Sequence, residues 1–192
     1  MFIYDNLLPE GDLKTSMESE ELWEENLPLS WYRCGLEIQD YKEEFCKHVW
    51  DNYFFTPKPV EIVGWESMNA EGDYKDLGFH SDSDIINYGR DMSEEIEQQW
   101  IAEGKAKVSK HGFIYYAHKE LPEGGYLEVK REHGEIERIQ PVPNRLIIFD
   151  PSCIHRVTSV TKGVRRSFVC NLWKIPPRWV LEKGVYDGNG ST

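Results

Sequence analysis

The chain has 192 residues, 13% of them aromatic, and a formal net charge of −12. That length supports one domain with a full hydrophobic core, and the aromatic content excludes a disordered chain. The acidic balance argues against nucleic acid as a partner, because phosphate binding needs many Lys and Arg contacts, and against an anionic membrane surface.

The N-terminal MFIYDNLLPEGD has no cationic start and no long apolar run, so no signal peptide is expected. No stretch approaches the length of a membrane span. Cys34, Cys46, Cys153 and Cys170 show no CxxC spacing and read as reduced thiols of a cytoplasmic protein. Without secretion, the NGS at 189–191 is an accidental match to a glycosylation acceptor.

The first third reads as helical. MESEELWEENL (17–27) is acidic and predicts the start or cover of a helix. LEIQDYKEEFCKHVWDNYF (36–54) predicts a helix with Ile38, Tyr41, Phe45, Val49 and Tyr53 on one face, and these aromatics read as core rather than as cofactor contacts. TPKPVEIVGWESM, with two prolines, then ends the helical pattern. The runs at 112–119, 124–132, 144–150, 153–160 and 164–175 are β-branched and aromatic and are separated by Gly, Pro and Asn, which predicts strands.

Helices followed by many short strands predict a mostly β sandwich or jelly roll with helices packed on its outside. The expected organisation is a single domain over 1–192, with helical support over about 1–57, a strand core over about 58–176 and a mobile tail over about 184–192. DMSEEIEQQWIAEGKAK (91–107) interrupts the strands with a predicted helix. Ser93 is its expected cap, Ile96 and Trp100 its inner pair and Gly104 its stop. Such an insertion is either a lid over a site or a solvated decoration.

The polar stretch GFHSDSD (78–84) sets His80, Asp82 and Asp84 at alternate positions. In a strand these share a face. A lone HxD is more often an ordinary histidine than a ligand, so a second element is needed. CIHRVTSV-TKG-VRRSFVCNLW reads as a hairpin turning at Lys162–Gly163. In that register His155 opposes Val169, and His155, Arg165 and Ser167 share one face while Arg166 and Phe168 take the other. His155 and Arg165 are then about 12 to 13 Å apart, at about 3.3 Å per residue. That span suits a short dicarboxylic acid, one end on a metal and the other on the guanidinium fork. His80, Asp82 and His155 supply the two imidazoles and one carboxylate of a non-haem Fe(II) facial triad, with three positions left open for a keto acid and O2.

With HSD, the runs IYYAHKELPEGGYLEV (114–129) and NRLIIFDPSCIHRVTSVTKGVRRS (144–167) resemble the 2-oxoglutarate- and Fe(II)-dependent dioxygenases, specifically the prolyl 4-hydroxylase-like branch. The resemblance covers roughly residues 60–173. It implies a double-stranded β-helix core, with His80, Asp82 and the distal His155 on iron. It also implies Arg165, ten residues after that histidine, on the far carboxylate of 2-oxoglutarate, with Tyr116 and Ser167 beside it. The cofactors implied are Fe(II) and 2-oxoglutarate, with ascorbate a candidate addition. The implied activity is hydroxylation of an organic substrate with release of succinate and CO2, by analogy at prolyl residues of a peptide or protein.

Several features depart from that pattern. The 91–107 insertion lengthens the path from His80 to Tyr116. SMNAEG (67–72) stands where relatives often carry a tyrosine, and Asn171 where they often carry a tryptophan. Asn171 also differs from the second arginine of the nucleic-acid dealkylating branch, and the acid at Asp82 differs from the related halogenases. The rival readings are an oxygenase acting on a free small molecule or amino acid, and a non-catalytic metal-binding or sensing jelly roll. His48, His111, His118 and His133 read as structural, with His118 and Asp84 as minor alternative ligands.

Overall fold

The computed structural model describes residues 1–19, 23, 30–33, 38, 40–54, 62–71, 78–83 and 94–173. These contain strands β1 (Phe2–Tyr4), β2 (Ser30–Arg33), β3 (Ile62–Glu71), β4 (His111–Tyr116), β5 (Glu123–Gly124), β6 (Leu127–Lys130), β7 (Ile136–Ile139), β8 (Leu146–Phe149), β9 (His155–Val157), β10 (Val160–Lys162) and β11 (Val164–Trp173). The helices are α1 (Asp12–Met17), α2 (Tyr41–Tyr53) and α3 (Glu94–Ala102). A large antiparallel sheet runs in the order β1-β8-β4-β11-β3-β2, and smaller sheets run β7-β6-β9 and β10-β5. None of the described helices is long and apolar enough to cross a membrane.

Two-residue alternation splits the large sheet into two apolar faces. Phe113, Tyr115 and Ala117 of the β4 run, Leu146 and Ile148 of β8, and Phe168, Cys170 and Leu172 of β11 pack under α1 and α2. Their neighbours Ile114, Tyr116, Ile147, Phe149 and Val169 face Leu127, Val129 and Ile139 of the small sheet. Helices α1 and α2 thus cover one face of the large sheet, and its other face closes over the interior where a site can sit. The expected strand core with outside helices is what forms.

Helix α2 starts at Asp40, whose carboxylate accepts from Lys42 N at 2.8 Å and Glu43 N at 2.9 Å, satisfying two otherwise orphaned donors. It buries Phe45, Cys46, Val49 and Trp50. The Phe45 ring lies 4.7 Å from Tyr115, 5.6 Å from Phe168 and 6.2 Å from Phe113. Ile38, expected on the buried face, precedes the cap and is exposed. Of the predicted 17–27 helix only residues 17–19 and 23 are described; Met17 ends α1 and accepts from the Trp23 indole N–H at 3.1 Å. The expected tail, Ser93 and Asp84 lie outside the described residues.

Strand β1 was not legible, because three residues carry no usable period. It pairs with β8, Phe2 opposite Ile148. Asn144, at φ 55, secures the chain that follows: its side chain accepts from Leu8 N and from the Tyr115 hydroxyl, and donates to the Leu8 carbonyl.

The predicted hairpin between 153–160 and 164–175 does not form. β9 pairs with β6, β10 pairs with β5, and β11 is flanked by β3 and β4. A strand has two edges, and both edges of β11 are taken. Gly163, at φ 80, turns the chain from the small sheet into the large one. His155 and Arg165 therefore approach the interior from facing sheets, not from one ribbon.

Candidate active site

Residues 78–83 run beside β9. His80 N–H donates to the His155 carbonyl at 2.9 Å, and His155 N–H returns the bond at 2.8 Å. Directly opposed residues share a face, so both imidazoles project the same way. Asp82 N–H donates to the Pro151 carbonyl at 2.9 Å, which sets the carboxylate beside them. One ligand atom each from His80, Asp82 and His155 lie within 4.8 Å of one another. Oδ1 of Asp82 is 3.7 Å from Nε2 of His80 and 3.5 Å from Nε2 of His155.

The other ring nitrogens are committed. Nδ1 of His80 lies 3.0 Å from the Gly78 carbonyl, and Nδ1 of His155 lies 2.8 Å from the Cys153 carbonyl. A carbonyl only accepts, so each Nδ1 carries a hydrogen, and the neutral tautomer this selects presents its lone pair at Nε2. Two lone pairs and a carboxylate oxygen converge, which is unfavourable without a cation or extra protons between them. Two nitrogens and one oxygen with open positions suit non-haem Fe(II). The side chain of His155 is 6% exposed, that of Asp82 19% and that of His80 35%, so the cluster opens to solvent on the His80 side.

A second polar group lies inside the sandwich. Arg165, Ser167 and Tyr116 are each fully buried, and Ser167 is the register partner of Tyr116 across β11 and β4. Nε and Nη1 of Arg165, the Tyr116 hydroxyl and the Ser167 hydroxyl have no hydrogen-bond partner among the described residues. The guanidinium carbon lies 5.3 Å from the centroid of the Tyr116 ring, but a cation–π contact does not satisfy N–H donors, and each buried unbonded donor costs about 1–3 kcal/mol. Such a cluster of donors is complementary to a carboxylate. The predicted inward faces of Arg165 and Ser167 are thus realised, although the pairing from which they were read is not.

The EGGYL turn shapes this pocket. Gly124 and Gly125 sit at φ 83 and 67. A Cβ on Gly124 would lie 2.1 Å from the Ser159 carbonyl oxygen, and one on Gly125 would lie 2.8 Å from Cδ of Arg165. Only glycine lets this backbone lie against the arginine stem.

Helix α3 reaches the metal-side segment. Gln98 donates from Nε2 to the Ser81 hydroxyl at 3.1 Å, and Ser83 bridges Val108. The middle of the insertion and the residue that follows it are therefore tied to the HxD segment. Trp100 is partly buried, as expected, but Ile96 is 44% exposed. Ile96 is thus not buried at an inner face as expected; the half-buried Trp100 and Gln98 are side chains of this helix turned toward the body. On the outer face, the Phe79 ring lies 4.3 Å from Nζ of Lys130 and 4.5 Å from Cζ of Arg156. Glu128, 1% exposed, accepts from Nε of Arg138 and Nε of Arg156, each at 2.7 Å. Burial opposes its ionisation, but the two guanidinium groups outweigh that and lower its pKa.

The remaining histidines do not join the cluster. His118 donates from Nε2 to the Pro141 carbonyl at 2.7 Å and accepts the Arg166 N–H at Nδ1; burial lowers its pKa and keeps it neutral. His48 lies on α2, His111 opens β4, and His133 is exposed in a turn. One contact was missed from the sequence: Asn171 donates from Nδ2 to Oδ2 of Asp82 at 2.9 Å. Its parity with Arg165, Ser167 and Val169 was the available signal.

Residues 69–173, more than half of the chain, match the 2OG-Fe(II) oxygenase superfamily. The chain belongs to that superfamily and is a 2-oxoglutarate-dependent non-haem Fe(II) dioxygenase. Its fold is similar to that of a Pseudomonas putida prolyl-4-hydroxylase, with a TM-score of 0.58, 14% identity, and coverage of 91% of this chain and 92% of that one. It is also similar to the viral collagen prolyl hydroxylase of Paramecium Bursaria Chlorella virus-1, with a TM-score of 0.57, 14% identity and 91% and 90% coverage. A Trichoplax adhaerens prolyl hydroxylase, in complex with a hypoxia inducible factor oxygen degradation domain peptide fragment, gives a TM-score of 0.54, 14% identity and 90% and 83% coverage. Comparison with curated proteins returns no match. The family implies Fe(II) and 2-oxoglutarate as cofactor and cosubstrate.

Proposed function

We propose that this protein hydroxylates prolyl residues of a peptide or protein, with His80, Asp82 and His155 holding Fe(II) and Arg165, Tyr116 and Ser167 holding the distal carboxylate of 2-oxoglutarate. One O2 and one 2-oxoglutarate convert a substrate C–H into C–OH and release succinate and CO2. The iron, when bound, supplies the oxidising chemistry. The chain supplies position. The Nδ1–H bonds to Gly78 and Cys153 hold both imidazoles with Nε2 forward. The Arg165 fork, with the Tyr116 and Ser167 hydroxyls, orients the cosubstrate from the opposite sheet.

The observation that carries the reading is the buried Arg165–Tyr116–Ser167 set, in which Nε and Nη1 of Arg165 and both hydroxyls have no hydrogen-bond partner among the described residues. A protein that only bound metal would have no use for it. The peptide substrate is supported by the shared fold with the peptide-bound Trichoplax adhaerens enzyme. Helix α3, tied to Ser81, borders the metal-side opening and serves as a substrate-side wall. The free thiols of Cys46, Cys153 and Cys170 suit a reducing, cytoplasmic setting.

The test is succinate release by the Fe(II)-loaded protein, with and without ascorbate, against proline-rich peptides and free amino acids. Peptide-stimulated release with a hydroxylated peptide product supports the proposal. Stimulation by free amino acids alone moves the activity to small molecules. A metal-loaded protein that binds no 2-oxoglutarate would be a binding jelly roll instead.

A further inference from the structure

The two oxygens of Asp82 have different surroundings. Oδ1 faces Nε2 of both histidines, at 3.7 and 3.5 Å. Oδ2 accepts from Nδ2 of Asn171 at 2.9 Å. The residue is held at its backbone as well, through the Pro151 carbonyl at 2.9 Å.

The surroundings of Asn171 suit this contact. Its register partners are glycines on both neighbouring strands, Gly64 in β3 and Gly112 in β4. A Cβ on Gly112 would lie 3.0 Å from Oδ1 of Asn171, and equally close to the Cys170 carbonyl oxygen and Cγ of Pro151. That is tighter than ordinary van der Waals contact. The bare glycine is what leaves space for the amide, and the same Pro151 that anchors Asp82 closes the other side.

We propose that Asn171 is a positioning residue that keeps Asp82 a one-oxygen ligand, with Gly112 providing the room it needs. The inference rests on the reading that His80, Asp82 and His155 hold the metal. A carboxylate can give a metal one oxygen or two. Two histidines and one carboxylate oxygen leave three positions of an octahedral ion open, which is what a chelating keto acid and dioxygen require. A second oxygen from Asp82 would leave one position too few. The Asn171 N–H occupies Oδ2 and turns Oδ1 toward the imidazoles, so it both orients the ligand and restricts its count. An asparagine suits this role because its amide is uncharged and leaves the carboxylate its full negative charge toward the metal.

The experiment is a titration of the metal-free protein with Co(II), whose visible bands report coordination, in the wild type, Asn171→Leu and Gly112→Ala. Leucine is close to asparagine in volume and has no donor. Losing a hydrogen bond that orients a metal ligand costs about 10- to 100-fold in metal affinity. Asn171→Leu is expected to bind Co(II) about tenfold or more weakly, with altered bands, while its metal-free melting midpoint stays near that of the wild type. Gly112→Ala keeps the amide but displaces it, and is expected to shift both readouts in the same direction by a smaller amount. If Asn171→Leu proves unstable without metal, Gly112→Ala decides by the same two readouts. Unchanged affinity and bands in the deciding variant overturn the inference and leave the metal site standing. A wild type that binds no Co(II) overturns the metal-site reading itself.

Discussion

Replacing Arg165 by methionine removes a buried charge while keeping most of the side-chain volume, and it should move two quantities in opposite directions. In the ligand-free protein the guanidinium is fully buried, and Nε and Nη1 have no hydrogen-bond partner. An unsatisfied buried donor costs about 1–3 kcal/mol. Relieving about 2 kcal/mol should raise the melting midpoint by about 4–8 °C, at about 2–4 °C per kcal/mol for a chain of this size. Binding should suffer. Two charge-assisted hydrogen bonds, at about 1.5 kcal/mol each at the low end, amount to about 3 kcal/mol, or about a hundredfold in the 2-oxoglutarate dissociation constant. At a hundred times its dissociation constant a ligand stabilises by about 2.7 kcal/mol. The wild type should therefore gain about 5–11 °C from 2-oxoglutarate, and Arg165→Met almost none at that same concentration. Calorimetric titration and thermal melts of the Mn(II)-loaded protein read both effects. Arg166→Met is the control, since its side chain lies on the opposite face, and should leave the affinity within about threefold. If Arg165→Met keeps its affinity, the carboxylate anchor is elsewhere. If it melts below the wild type without ligand, the contact of the guanidinium with the Tyr116 ring, 5.3 Å from the guanidinium carbon, outweighs the cost of the orphaned nitrogens and the stability argument is wrong.

Gly125→Ala forces a Cβ to within 2.8 Å of Cδ of Arg165 at a φ of 67; the 2-oxoglutarate dissociation constant should rise by about tenfold, on the order of one disturbed charged hydrogen bond, as titration would show. Phe45→Ala empties the site where α2 meets Phe113, Tyr115 and Phe168; urea unfolding should reveal a loss of about 3–5 kcal/mol. Glu128→Gln should be destabilising at neutral pH by about 1.5–3 kcal/mol. Because the folded-state pKa of Glu128 is lowered from 4.5, its contribution is present above about that pH and is lost as the pH falls through the folded value. The gap between wild type and variant should therefore close in acid, and a pH series of unfolding curves that stays parallel would contradict the pairing with Arg138 and Arg156. Gln98→Ala cuts the tie between α3 and Ser81; it should raise the Michaelis constant for the hydroxylated substrate by a few-fold and leave that for 2-oxoglutarate unchanged.

Much of this protein could be read from local order. The alternation in VRRSFVCNLW put Arg165 and Ser167 on one face and Arg166 and Phe168 on the other, and the structure buries Arg165 and Ser167. For Tyr116 the alternation in GFIYY said only that it opposes Tyr115, and its place beside Arg165 was implied by the family resemblance. Parity is a local property of an extended chain, so it survives ignorance of the partner strand. The HxD pair was visible for the same reason, whereas His155 was read from a hairpin register that does not form and from its place ten residues before Arg165 in the family pattern. Partner choice was not visible. His155 meets His80 and not Val169, and β11 spends its two edges on β3 and β4. Nothing within a strand states which edge it will fill, since pairing is settled by the whole sheet and by corner residues such as Gly163. The same holds for Asn171, whose amide acquires its use only when Asp82 arrives from a segment 89 positions away and Gly112 clears the space beside it. Chain order and side-chain parity determined which groups could carry the chemistry; the packing of two facing sheets decided which of them meet.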